Sequence, residues 1–233
     1  MSFIAVQNAS TKVTEEQLQL MTRAVAQQVR KDVAPEWGTK QLAVVYLKPD
    51  AVIPPGAWVI TVFDTADQAD ALGYHTEDPN GTVYGKVFAG PVLDNGGTVM
   101  DGAISVSAVL SHEVLETYMD PRVQLWASDN SGTTQWAYEI CDPVEDSAYQ
   151  VAVGGQVVSV SNFVLPEWFD ATPPAGSVFD HMALLDAPFT IASGGYAVTL
   201  QAGQLAETYG DRFPAWKVPG KLHALSRKAR RHA

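Results

Sequence analysis

The chain has 233 residues, 46% of them hydrophobic and 18% charged, enough to bury a core and too aromatic for a disordered polymer. A formal net charge of −11 argues against nucleic acid as a partner. The single cysteine, Cys141, excludes an internal disulfide and Cys-rich zinc modules, and no apolar run reaches the ~18 residues of a membrane span.

The N-terminal MSFIAVQNAST lacks the basic and long apolar regions of a signal peptide, so a cytoplasmic location is expected. Thr14 followed by Glu15, Glu16 and Gln17 is a capping-box pattern. Leu18, Met21, Val25 and Val29 then recur at helical spacing, which predicts an amphipathic helix over 14–32. The runs 42–47 and 57–63 read as strands, separated by Pro54, Pro55 and Gly56. A short polar segment at 65–73 has helical potential. The 78–81 sequence DPNG is a turn, and 82–89 reads as the next strand. The apolar run 103–119 is long enough for a helix of four turns. After Pro121 the pattern changes to an exposed loop at 129–135 and an aromatic and acidic block at 136–146. A hairpin at 149–165 follows, with Gly154 and Gly155 at its tip, and then a loop-rich remainder. Six Lys/Arg and no Asp/Glu follow Trp216, so the preceding 216 residues carry nine basic against 26 acidic side chains, a net −17. The expected organisation is an N-terminal subdomain at 1–121, a β-rich subdomain at 122–216 and a basic tail at 217–233.

The predicted helix 103–119 carries its own chemical problem. His112 and Glu116 stack on one face, and Glu113 lies about 100° round from His112. Val109, Leu110, Val114, Leu115, Tyr118 and Met119 are apolar on nearly every side. Burying an unpaired carboxylate costs several kcal/mol, so such groups take up a proton or find a cation. A shared metal ion resolves the cost for all three, since imidazole nitrogen and carboxylate oxygen both ligate zinc. Carboxylate-rich shells also suit manganese, magnesium or calcium.

The H-E-x-x-E of 112–116 resembles the H-E-x-x-H of zinc metallopeptidases, where the intervening Glu activates water. In the zincin fold a helix and a small twisted sheet precede the metal helix, and an edge strand above the cleft pairs with extended substrate. The order of predicted elements is similar, and 82–89 would be that edge strand. Glu139, 23 residues after Glu116, resembles the downstream glutamate ligand of the gluzincin branch, with Asp142 as its supporting acid. Asp120 is a rival third ligand, although on a straight helix it lies about 12 Å along the axis from His112. The blocks 111-SHEVLE-116 with 120-DP-121, 138-YEICDPVED-146, 158-VSVSNFVLPEWF-169 and 194-GGY-196 together resemble an uncharacterised family of phage and bacterial proteins. That resemblance implies an α+β, zincin-like metalloprotein.

The expected chemistry is zinc-assisted peptide hydrolysis, with His112, Glu116 and Glu139 as ligands and Glu113 as general base. Its partner would be a peptide or protein substrate. The competing expectation is a non-catalytic phage virion or assembly protein with a structural metal, located in the host cytoplasm or the virion among other virion proteins. A metal-free reading, in which His112 hydrogen-bonds to Glu139 or Asp142, also fits the spacing. Glu145 and Asp146 read as a solvated turn or, with Asp142, a calcium site. His75 reads as a loop residue that overhangs the cleft at most, and His181 as a semi-buried, satisfied imidazole. Tyr138 and Tyr149 read as packing residues with a weaker claim to polarise a carbonyl. Cys141 reads as core, its thiolate disfavoured by the acids around it.

Overall fold

The apolar N-terminal stretch Phe3–Asn8 is a strand, β1, with Ile4, Ala5 and Val6 fully enclosed. This computed structural model describes residues 3–68 and 71–212, and the basic tail lies outside them. The capping box at Thr14 forms: its hydroxyl accepts from the Gln17 amide and its own amide donates to the Gln17 side chain. From that cap, α1 (Glu15–Gln28) turns Leu18, Met21 and Val25 into the core. It continues through a π turn at Val29–Val33 into a short α2 (Ala34–Glu36). Pro35 is tolerated there because a first helical turn needs no donor from it.

β2 (Val44–Tyr46), β3 (Ala57–Phe63), β4 (Gly73–Glu77) and β5 (Val83–Phe88) join β1 in one sheet of order β2-β1-β3-β5-β4. All neighbours are parallel except β4, which runs antiparallel to β5. The expectation for 82–89 is therefore corrected. β5 lies inside the sheet, and the edge belongs to β4, which pairs back across the DPNG turn with Gly73 opposite Val87 and Glu77 opposite Val83. The described part of 65–73 forms no helix.

After α3 (Ala89–Asp94), Ser105 caps α4 (Val106–Met119) by accepting from the Ala108 amide. Twelve of the fourteen α4 residues are buried, as expected of a helix apolar all round. β6 (Trp126–Ser128) and β7 (Thr134–Ala137) follow. β8 (Ala148–Val153) and β9 (Gln156–Ser161) form the predicted hairpin. The remainder is less loop-rich than the sequence suggests. β10 (Tyr196–Gln201) and β11 (Gln204–Tyr209) close a second hairpin about Ala202 and Gly203, both at positive φ, and complete an antiparallel sheet of order β11-β10-β7-β6.

One apolar cluster crosses Pro121: Ile4, Met21, Ile60 and Leu110 pack in the same core as Val158, Phe163 and Trp168. A buried polar junction fixes α4 within it. The Gln28 side-chain amide donates to the Ser161 carbonyl (2.8 Å), Ser111 Oγ donates to Gln28 Oε1 (2.7 Å), and the Ser161 amide donates to Ser111 Oγ (3.0 Å). Each polar atom is satisfied, so α1, α4 and β9 meet in one register. Among the described residues no helix is long and apolar enough to cross a membrane.

Candidate metal centre

α4 supplies His112, Glu113 and Glu116, all buried as their apolar neighbours predict. His112 Nε2 lies 3.2 Å from Glu116 Oε2 and 3.3 Å from Asp142 Oδ1. The Cys141 amide donates to Glu116 Oε1 at 3.3 Å, which brings the 139–142 segment onto the helix. Donor atoms of His112, Glu116 and Cys141 lie within 4.8 Å of one another, and so do those of His75, Glu116 and Glu139. Glu116 thus belongs to both sets. Glu139, the third ligand implied by the resemblance, groups with His75 and Glu116, while Asp142 and Cys141 accompany His112. Asp120 is the C-cap of α4. Its carboxylate accepts from the Leu125 amide at 2.8 Å, and its carbonyl faces His75.

His75 is the residue that the sequence misplaces. It is a buried member of β4, not a loop residue, and its Nε2 lies 3.0 Å from the Asp120 carbonyl. Its Nδ1 faces Glu113 Oε2 at 3.6 Å and Glu116 Oε2 at 3.8 Å. The signal was the DPNG turn: a turn followed by a strand at 82–89 implies a partner strand before it, and alternation along that partner puts His75 opposite in direction to Tyr74.

Burial opposes charge on His75, but the adjacent Glu113 carboxylate and the charges of Glu139 and Glu116 outweigh it and raise its pKa to about 9. Burial likewise opposes the His112 imidazolium, and Glu116 and Asp142 lift its pKa well above the usual value. Burial also raises Glu116, against the His112 charge and with the help of Asp142 and Glu139. The Cys141 thiol is pushed well up, first by burial.

Glu113 Oε2 is buried and has no hydrogen-bond partner. The carboxylate lies beneath β4 so closely that a Cβ on Gly73 would sit 2.6 Å from Glu113 Oε1 and 2.9 Å from Val109 Cγ1. Gly73→Ala is expected to displace Glu113 and destabilise the fold by about 1–3 kcal/mol through overpacking, measured as a lowered urea midpoint.

A small cleft of about 60 Å³ opens here, lined by Leu72, Gly73, Val109, His112 and Glu113 and, on the far side, Tyr196. Glu145 and Asp146 also line it. They are partly buried rather than a solvated turn, and Asp146 pairs with Arg212 at 3.1 Å. Gly194 and Gly195 make this wall possible. Added Cβ atoms would meet Asp146 Oδ2 and the Pro143 carbonyl at 2.1 and 2.3 Å. Tyr138 stacks on Phe169 with ring centroids 4.1 Å apart, and the Tyr149 hydroxyl donates to Asp32 at 2.7 Å. His181 is exposed rather than semi-buried, its ring lying on Phe163 and Tyr149.

The donor set fits a divalent cation. Ligand bonds of 2.0–2.2 Å place neighbouring donors roughly 3.0–3.5 Å apart, close to the 3.2 and 3.3 Å found around His112. The molecule is thus an α+β protein whose buried His, Glu and Cys groups could hold a metal ion. No protein-family model, curated protein or solved structure matches the chain.

Proposed function

We propose that the protein is a zincin-like metallopeptidase. The observation that carries this reading is the position of Glu113: a buried carboxylate with one oxygen lacking a hydrogen-bond partner, lining a cleft beside the His112–Glu116 pair and under the edge strand of the sheet. The arrangement agrees with what the resemblance implies for a zincin, in which a sheet edge overhangs the metal helix, except that β4 takes that place.

His112 and Glu116 would hold the cation, with Asp142 or Cys141 completing the set on that side. Zinc is favoured because the donors mix imidazole with carboxylate. Such an ion supplies Lewis acidity, polarising a carbonyl and acidifying water. Glu113 Oε2 takes a proton from the attacking water and returns it to the leaving amine. Leu72, Ala108 and Val109 exclude bulk solvent around it. An extended peptide would run past the Ala71–Gly73 segment on its way over the cleft.

Glu113→Gln tests the assignment. It keeps the side-chain shape and the cation ligands but removes the base. Zinc at the His112–Glu116 position should be retained by elemental analysis, while cleavage of casein or a peptide library falls by about 10²–10⁴-fold. A zinc-loaded parent that cleaves nothing overturns the peptidase reading in favour of a non-catalytic virion or assembly role. A variant as active as the parent overturns the role of Glu113.

A further inference from the structure

The cation position at His112 leaves the second imidazole of the cluster without a role. We propose that the cluster holds two divalent cations, with His75 Nδ1 a ligand of the second and Glu116 shared between them. The inference rests on reading the cluster as a metal centre.

The first ground is the tautomer of His75. A carbonyl oxygen only accepts, so the 3.0 Å contact with Asp120 O requires a proton on Nε2. A neutral His75 therefore turns the Nδ1 lone pair toward Glu113 Oε2 and Glu116 Oε2, at 3.6 and 3.8 Å. A lone pair against two carboxylate oxygens is repulsive, and a proton on Nδ1 relieves this only as ion pairs, since both contacts are too long for hydrogen bonds. Donors 3.6 and 3.8 Å apart stand a few tenths of an ångström wider than the roughly 3.0–3.5 Å around a shared ion, so a bound cation would draw them together. An imidazole whose other nitrogen donates to a backbone carbonyl is also the usual posture of a metal-bound histidine.

The second ground is the other side of the same contact. Glu113 Oε2 is buried, aimed into the cluster and without a hydrogen-bond partner. A cation at His75 Nδ1 would satisfy it in the resting protein. Glu139 stands on the other side of the ring, its Oε2 3.9 Å from His75 Nε2, so the ion at Nδ1 draws on Glu113 and Glu116.

The third ground is the position of Glu116. Its Oε2 lies between the two imidazoles, 3.2 Å from His112 Nε2 and 3.8 Å from His75 Nδ1. One carboxylate between two imidazoles is a bridging arrangement, and paired catalytic cations typically lie about 3.5–4 Å apart.

The full chain, stripped with chelator, reloaded with zinc and desalted, would be counted by native mass spectrometry and elemental analysis. Two ions per chain are expected in the parent, and one each in His75→Gln and His112→Gln. A parent that binds one ion, unaffected by His75→Gln and lost in His112→Gln, overturns the second position and leaves the metal centre standing. No bound ion in any form overturns the metal centre itself. Should His75→Gln fail to fold by circular dichroism, ¹⁵N resonances of the parent imidazoles during zinc titration decide. A metal-shifted Nδ1 with a retained Nε2–H supports the proposal. A His75 protonated at both nitrogens at saturating zinc overturns it.

Discussion

Glu116→Gln is expected to lose cation binding and yet leave the metal-free protein at least as stable as the parent. Glu116 shares both donor sets, so its loss weakens every position in the cluster. Losing a mere outer partner of a ligand costs 10–100-fold in metal affinity, so losing this ligand should exceed ~100-fold. The stability effect has the opposite sign. In the metal-free protein Glu116 is a buried carboxylate beside Asp142 and Glu139, and burial already drives it toward its neutral form. Glutamine supplies that neutral form and relieves like-charge repulsion. Thermal unfolding with chelator should give the variant an equal or higher Tm. With zinc at 1,000 times the parent Kd, only the parent should gain, by about 4 kcal/mol. A variant that zinc still stabilises like the parent would remove Glu116 from the ligand set. Protons compete for the same groups. His75 and His112 both have raised pKa values, so metal uptake must displace protons. Parent affinity should rise with pH until His75 is deprotonated at about 9.

Trp168→Ala is expected to be the most damaging single core substitution, costing about 3–5 kcal/mol in chemical denaturation, with Trp168→Phe costing less. The indole is fully enclosed, meets Trp136 edge-on with centroids 5.8 Å apart, and donates Nε1–H to the Thr190 carbonyl at 2.8 Å. The damage should extend to the metal centre. Trp168 anchors the turn after Leu165, and the preceding Val164 amide donates to the Ile140 carbonyl, within the segment that carries Glu139, Cys141 and Asp142. Weaker cation binding in Trp168→Ala, measured by calorimetry, would report that coupling. Unchanged binding with lowered stability would confine Trp168 to packing.

The parts of this molecule that announce themselves in sequence are those with strong local signals. The Thr14 cap, the 57–63 strand, the 149–165 hairpin and the apolar flanks of His112 each follow from side-chain chemistry within a few residues. What sequence reading loses is non-local. β1 is internal to its sheet, between β2 and β3, yet nothing near Phe3–Asn8 says what will flank it. β5 looks like any strand, and only pairing with both β3 and β4 makes it internal. His75 sits in a five-residue strand of mixed polarity, so its burial depends on α4 arriving beneath it. The ligand question has the same origin: the resemblance implied Glu139 beside His112, and the folded backbone seats Glu139 nearer His75.

The Gln28–Ser111–Ser161 junction bears on when the protein first becomes competent. Gln28 and Ser161 are 133 residues apart along the chain, and their contact helps set the helix that carries His112 and Glu116. Contacts this distant close late, because a long loop must be ordered before anything rewards it. A nascent polypeptide still lacking its 161st residue on the ribosome would carry His112 and Glu116 without the scaffold that aims them. On the proposed reading, ion capture, and any cutting that depends on it, would be deferred until synthesis of the chain is well advanced.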